Sequence, residues 1–476
     1  MQFNSLVFLL FLPVVFLLYW QVFKPLRWQN MLVVVASYVF YGWWNWRFLG
    51  LIAFTSLFSY ACGLLTECYR QRQRARQVVC ACCIVVNLLI LGVFKYYNFF
   101  ADSFCELLGL FGWKTGWATL HVVLPVGISF YTFQALSYII DVNCGRIRAC
   151  RDVTAFLAYI SFFPQLVAGP IERASQLLPQ FMQERNFNYA DAVDGCRQML
   201  WGFFKKMVVA DNCAAVVNTV WASYPCEPSA VLMVGAVLFT FQIYCDFSGY
   251  SDIAIGCARL FGIRLMRNFC FPYFSHDIAD FWRRWHISLM TWLRDYVYIP
   301  LGGNREGRFR TLRNTFVVWG ISGLWHGASW TFVCWGFYHA TLLTIYRLMG
   351  VKMKSSILSM AFTFFWVVIG WVIFRAPTLN DAFSYLSQML CVMEWSLNQT
   401  VSRLMPLQSP LTISVAGIIF MLLCEWHRRH CLHALQFAVN SFVGRHTSVR
   451  YACYEVLAMF TIAFSGSQSE FIYFQF

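Results

Sequence analysis

Charged residues are spaced along this chain so that long uncharged stretches lie between them. The stretches cover residues 3–23, 28–46, 48–66, 77–94, 115–140, 153–171, 228–245, 314–346, 355–374 and 404–424, and a weaker one follows Glu455. A helix needs about 20 mostly apolar residues to cross roughly 30 Å of bilayer hydrocarbon. The pattern therefore predicts about eleven spans. The stretches are continuously apolar, without the alternation of an outer-membrane strand, and a helix satisfies its own backbone hydrogen bonds inside lipid. We expect an all-α polytopic membrane protein with a single transmembrane domain over 1–476. Its parts are N-terminal spans (1–151), a central histidine-bearing core (152–350) and C-terminal spans (351–476). Stretch 314–346 is long for one helix and short for two, so a tilted or broken element is expected there. Residues 3–23 have no basic segment before them and no small-residue cleavage site after them, which reads as a retained span rather than a signal peptide.

Composition narrows the function classes. The chain is 59% apolar and 12% charged, about half the charge fraction of a soluble domain. A disordered chain, a coiled coil and a simple soluble enzyme are excluded. The net charge of +14 would suggest nucleic acid in a soluble protein. Here the basic residues sit between uncharged stretches, where positive-inside topology and anionic headgroups account for them. The expected partner surface is the lipid bilayer, and no nucleic acid is expected. Lys24 and Arg27 follow the first span, Arg70, Arg72, Arg74 and Arg76 the third, and Arg146, Arg148 and Arg151 the fifth. All three clusters place the N-terminus outside. Nineteen cysteines lie mostly within uncharged stretches and show no repeated CxxC pair. They read as small apolar residues rather than a zinc site or a disulfide framework, so no metal is expected. No internal repeat or low-complexity linker interrupts the chain.

The region 245–313 departs from this pattern. Asp246, Asp252, Arg259, His276, Asp277, Asp280, Arg283, Arg284, His286, Arg294 and Asp295 stand among aromatics there. Ionisable groups at membrane depth are costly unless paired or solvated. Residues 277–298 read as an amphipathic helix, interfacial or re-entrant, with Phe281, Trp285, Leu289, Trp292 and Tyr296 at helical spacing. Trp282, His286, Leu289 and Leu293 share a stripe, which points His286 with the apolar face. Taken alone, such a histidine is usually a satisfied core residue.

His326 stands in GLWHGASW at 323–330, in the middle of an uncharged stretch. An imidazole buried there resists protonation, because desolvation disfavours the charged form. A neutral imidazole is what a general base must be. Gly323 and Gly327 flank it and either leave room for a substrate or allow close helix packing. His339, further along, reads as structural. No GxSxG elbow, HExxH, P-loop or GxGxxG is present, which leaves standard hydrolase, zinc peptidase, NTPase and dinucleotide readings unsupported. Two histidines inside a helical membrane shell suit hydroxyl activation for acyl transfer. They also suit a proton-coupled transporter, although that class predicts internal repeats and paired interrupted helices.

Several stretches match one known family in order. They are PQLVAGPIER at 164–173, YCDFSGYSD at 244–252, Asn268-Phe269 with Pro272-Tyr273, FWRRWHISL at 281–289, WLRDY at 292–296, YIPLGGNR at 298–305, WHGA at 325–328 and FIYFQF at 471–476. By these motifs the sequence resembles the membrane-bound O-acyltransferases. Within them it resembles the alginate O-acetylase branch, which is related to the D-alanyl-teichoic-acid transferases. The likeness runs from the N-terminal spans to the last residue.

The resemblance implies a fold and a site. The fold is a ring of about eleven transmembrane helices around a central funnel where two histidines meet. The WHGA-type histidine is catalytic in this family, and that position is His326. The RRWH-type histidine matches His286; relatives outside the branch carry Asn there, which implies an orienting or oxyanion role. Asp246, Ser248, Asp252, Trp285, Asn304, Arg305 and Trp325 lie within the matching stretches and are the expected tunnel or donor-binding residues. Arg305, Arg308, Arg310 and Arg313 either attract donor phosphates or form a plain basic loop. Asp246 and Asp252 either orient tunnel groups or pair with Arg283 or Arg284.

The implied function is transfer of an acyl group, foremost acetyl, from a cytoplasmic thioester for O-acetylation of an extracytoplasmic polysaccharide. The donor is acetyl-CoA or an acyl-phosphopantetheine carrier protein, with no bound cofactor. A periplasmic or extracellular esterase-like partner finishes the transfer, and the protein sits in the bacterial cytoplasmic (inner) membrane. D-alanyl transfer from a carrier protein to a cell-wall polymer is the related alternative.

Overall fold

The computed structural model describes every residue except 114–115, 117–119, 121–122, 351–355, 392–395, 438–441 and 473–476. Part of the uncharged stretch 115–140 and the last four residues of the C-terminal motif thus lie outside the described residues. All regular structure among the described residues is helical. Among the described residues, five segments are long and apolar enough to cross a bilayer: Leu26–Cys68, Gln73–Leu110, Ser229–Leu260, Ile357–Arg375 and Asn398–His427. The first contains two of the uncharged stretches, because a turn at Trp46–Phe48 separates two 20-residue helices.

The chain divides into two compact units. The first comprises Met1–Tyr189 and Ala258–Leu265. Its helices are α1 (Leu6–Leu17), α2 (Leu26–Asn45), α3 (Leu49–Cys68), α4 (Gln73–Leu91), α5 (Tyr97–Leu110), α6 (Ile128–Asn143), α7 (Val153–Ser161) and α8 (Ala174–Phe181). Aromatic edges fill its core: Phe163 lies 5.5 Å from Phe40 and 5.8 Å from Phe261, and Tyr19 lies 5.1 Å from Phe261. Residues 153–171 do not form the single span that their apolarity suggests. Nine residues make α7, four more make a turn at Phe163–Leu166, and the chain then runs irregularly to Arg173. Pro164 and Pro170 cannot donate to a continuing helix, which accounts for the interruption.

The second unit comprises Ala190–Cys257 and Met266–Phe476. Its helices are α9 (Tyr189–Phe203), α10 (Asp211–Ala222), α11 (Ser229–Leu260), α12 (Ile278–Arg284), α13 (Ile287–Leu293), α14 (Arg308–His326), α15 (Trp330–Met349), α16 (Ile357–Arg375), α17 (Leu379–Met389), α18 (Leu397–Leu404), α19 (Gln408–His427) and α20 (Thr447–Ala463). The tail of α11 and the first residue of α9 fall in the first unit.

Three features of this unit position the site. Stretch 314–346 is broken, as expected: α14 ends at His326 and α15 begins at Trp330. The two helices lie against each other through Gly323, where an added Cβ would overlap the Phe332 carbonyl, and Gly336, where it would overlap that of Trp319. Close backbone approach through small residues is the usual way helices associate in lipid. Second, α9 and α11 approach through Gly202 and Gly249; a Cβ on Gly249 would sit 2.8 Å from the Gly202 carbonyl. Third, Phe204–Ala210 continues α9 as a wider π-helical turn into α10. Such turns re-aim side chains and occur often at functional sites.

Candidate active site

The expected amphipathic helix over 277–298 is not continuous. It consists of α12, α13 and a π-helical turn at Arg294–Tyr298, with a break at Trp285-His286. His286 takes a left-handed backbone, φ 43° and ψ 51°. Few non-glycine residues adopt this region, and those that do cluster at functional sites. The break is tolerated because the segment 268–270 takes up the freed backbone groups. Ile287 N–H donates to the Asn268 carbonyl at 2.9 Å, and Cys270 N–H donates to the Arg284 carbonyl at 2.9 Å. The helical stripe inferred for His286 is thus not its geometry, although its burial was anticipated.

His286 is 1% exposed and His326 is 4% exposed. Their ring centres stand 6.3 Å apart, although the residues belong to different helical segments. Phe247 meets His286 edge-on at 4.7 Å. Trp335 and Phe374 meet His326 edge-on at 5.0 and 5.3 Å. Trp285 packs on Trp371 at 4.8 Å, and Trp371 on Trp335 at 5.9 Å. The two imidazoles therefore meet inside a buried aromatic shell, where polar interactions are strengthened. His286 lies between short helices outside the candidate spans, and burial pushes its pKa down to about 3. Its ring is neutral at physiological pH.

The room expected beside Gly327 is taken: a Cβ there would overlap the Phe332 ring. The two glycines flanking His326 serve close packing. His339 accepts a hydrogen bond at Nδ1 from Trp282 Nε1–H (3.3 Å) and packs against Trp335 at 5.0 Å. It buttresses the aromatic shell. Trp325 is buried next to His326.

Asp246, Ser248 and Asp252 all lie on α11. Their partners correct the sequence expectation, since they pair with lysines and not with Arg283 or Arg284. Lys205 Nζ lies 2.6 Å from Asp252 Oδ2 and donates to Ser248 Oγ at 2.9 Å. Lys206 Nζ bridges Asp246 Oδ1 (2.6 Å) and Asp211 Oδ1 (2.9 Å). Arg284 and Arg283 bond Asp280 instead, at 3.0 and 3.5 Å. Sequence reasoning missed both lysines. Their signal was present, however: two adjacent cations inside an apolar run need carboxylate partners, and Asp211 alone stands near them in the sequence.

The Lys206 cluster also holds the C-terminal tail. Ser469 donates to Asp211 and accepts from Lys206 Nζ at 3.3 Å, and Ile472 N–H donates to Asp246 Oδ2 at 2.7 Å. Phe471 then lies 6.0 Å from Phe247, the ring beside His286.

Asn304 and Arg305 are exposed in the turn before α14, and Arg308 and Arg310 are exposed in its first turn. His326 closes the other end of that helix, about 27 Å away at 1.5 Å per residue. A different basic feature lies nearer. A cleft of about 560 Å³ is lined by Arg283, Arg294 and Arg347, with Trp282, Trp319 and Ile287 among its walls. Arg347 donates to Thr315 Oγ1 at 3.2 Å, about 16 Å below His326 along α14. Among the described residues, no cluster of three or more His, Cys, Asp or Glu side chains suits a metal ion.

Comparison with known proteins adds the chemistry. Residues 151–379 match the family described as MBOAT, membrane-bound O-acyltransferase family. The chain is 44% identical over 403 residues to a probable alginate O-acetylase of Azotobacter vinelandii, covering 84% of this chain and 80% of that one. It is 41% identical over 491 residues to a probable alginate O-acetylase of Pseudomonas putida, with both chains covered fully. It is 33% identical over 522 residues to a peptidoglycan O-acetyltransferase of Helicobacter pylori, covering 100% of this chain and 97% of the other.

Proposed function

This chain belongs to the membrane-bound O-acyltransferase family and is a multi-pass membrane O-acyltransferase, and from that premise we propose that it moves an acetyl group from a cytoplasmic thioester to an extracytoplasmic polysaccharide. The observation that carries the site is the meeting of His286 and His326 at 6.3 Å inside an aromatic shell. His326 accepts the proton of an acceptor hydroxyl while that oxygen attacks the thioester carbonyl. The new C–O bond forms, the C–S bond breaks, and the departing thiolate takes the proton back from His326. His286 orients the reacting groups from the opposite side.

The polysaccharide assignment draws on relatives described as acetylases of alginate and of peptidoglycan. D-alanyl transfer is disfavoured because these acetylases match nearly the whole chain. The final glycan acetylation passes through a periplasmic or extracellular esterase-like partner. The protein sits in a bacterial cytoplasmic membrane with its N-terminus outside, in keeping with the Lys and Arg clusters after the first, third and fifth spans. Labelled acetyl-CoA and purified protein in a bilayer test the reading directly. Thioester loss that depends on His326 supports it, and solute flux without thioester loss would establish a transporter instead.

The donor phosphates are assigned to the cleft of Arg283, Arg294 and Arg347 rather than to the loop of Arg305 and Arg308. Arg347→Gln is expected to raise the donor KM about 3–10-fold with kcat nearly unchanged, the scale of one half-screened charged hydrogen bond. Arg308→Gln should leave KM within about twofold. The reverse ranking of the two variants would return the phosphates to the loop.

His286→Asn is expected to retain more transfer than His286→Ala, because Asn keeps a hydrogen-bonding group of similar reach. Equal losses, measured as kcat on the same preparation, would show that the ring itself carries a proton.

A further inference from the structure

The mechanism leaves open which nitrogen of His286 carries the proton, and the structure answers this through a residue outside the histidine pair. Asn268 is fully buried. Its Oδ1 lies 3.0 Å from His286 Nδ1. The same oxygen accepts the Ser288 backbone N–H at 3.3 Å and the Ser288 hydroxyl at 2.9 Å. Its Nδ2 donates to Ser251 Oγ at 3.4 Å. A backbone N–H can only donate, so the group facing Ser288 is the amide oxygen and not the nitrogen. An oxygen acceptor at 3.0 Å then requires a proton on Nδ1, since two lone pairs at that distance would repel each other. Asn268 also takes the N–H groups of Ile287 and Ser288, the first two of α13, and so acts as that helix's cap from far along the chain.

We propose that Asn268 is a positioning residue that locks His286 as the Nδ1–H tautomer, leaving Nε2 as a hydrogen-bond acceptor for the reacting groups. This rests on the reading of the histidine pair as the transfer site. It refines the oxyanion role implied by the family resemblance. A neutral His286 in this tautomer holds a hydroxyl or a protonated partner through Nε2, and donation to an oxyanion falls to other groups. The arrangement parallels histidines elsewhere whose working nitrogen is set by the bond the other one makes.

The test uses the full chain in lipid nanodiscs with ¹⁵N-labelled histidine, with the His286 signals assigned by their loss in His286→Asn. The wild type should show a protonated Nδ1 and an unprotonated Nε2. Asn268→Ala should mix the tautomers and lower kcat at least 10-fold with the donor KM unchanged. Asn268→Asp keeps the acceptor oxygen and adds a negative charge that favours the imidazolium. It should restore the Nδ1 proton and much of kcat, with the acid limb of the pH–rate profile moved to higher pH. A purely structural Asn268 would not move that limb. The proposal is overturned if the wild-type proton sits on Nε2, or if Asn268→Ala leaves both tautomer and kcat unchanged. Loss of the transfer reading itself would show differently: His326→Ala would keep full activity while the tautomer assignment stood.

Discussion

Replacing His326 by alanine is expected to lower the transfer rate by about 10²–10⁴-fold, the usual contribution of a positioned proton acceptor. The expectation follows from where the ring sits. It ends α14, is nearly fully buried, and shares its shell with His286, Trp335 and Phe374. His339 is not placed to replace it, because Trp282 and the core around Gly370 engage that ring. The variant should still fold. The α14–α15 pair is held by backbone approach at Gly323 and Gly336, which does not involve the ring. The measurement is consumption of labelled acetyl-CoA, with thermal unfolding recorded on the same sample. Near-normal turnover in a folded variant would end the assignment. An acylated peptide spanning residue 326 after rapid quenching would convert the general base into a covalent acyl carrier.

Lys206→Met should have the largest effect on stability. Lys206 bridges Asp246 and Asp211, with the three side chains 9%, 3% and 2% exposed. Removing one partner of a buried ionic cluster typically costs about 3–5 kcal/mol, because the remaining charges stay buried without compensation. The loss should also reach the site. Ser469 and Ile472 bond to the same cluster, and Phe471 packs on Phe247 beside His286. We expect a lower Tm, protease sensitivity of the segment 465–472, and a fall in kcat exceeding any change in KM. Adding Asp246→Asn should recover part of the Tm, since it removes one of the stranded carboxylates. A Lys206→Met protein with wild-type Tm would show that the cluster is solvated and the argument from burial mistaken.

Much of the site was legible in the chain, but unevenly. His326 stood out as a polar ring in an uncharged stretch and His286 as one placed with an apolar face, and the motifs around them reinforced both. The break after His326 was readable from the length of stretch 314–346. The break at His286 was not. Residues 277–298 have good helical periodicity, and only the strand of chain at 268–270, donating and accepting in place of the next helical turn, makes a left-handed residue tolerable there. The basic cleft was not legible for a related reason. Residues 305–313 are a dense local run, whereas Arg283, Arg294 and Arg347 are scattered in sequence and gather only at one cleft.

By itself the sequence determined that the chain is helical, lies in a membrane, and carries two histidines in places that cost energy to keep polar. Those properties are set by hydropathy and helical period, which act over a turn or a span. The tertiary structure alone decided that the histidines meet, that Asn268 reaches the ring of one, and that Lys205 and Lys206 pair with Asp252 and Asp246. Such pairings join residues far apart along the chain. They depend on which helices approach closely, and that approach is controlled by a few glycines and bent turns whose effect no local window of sequence reveals.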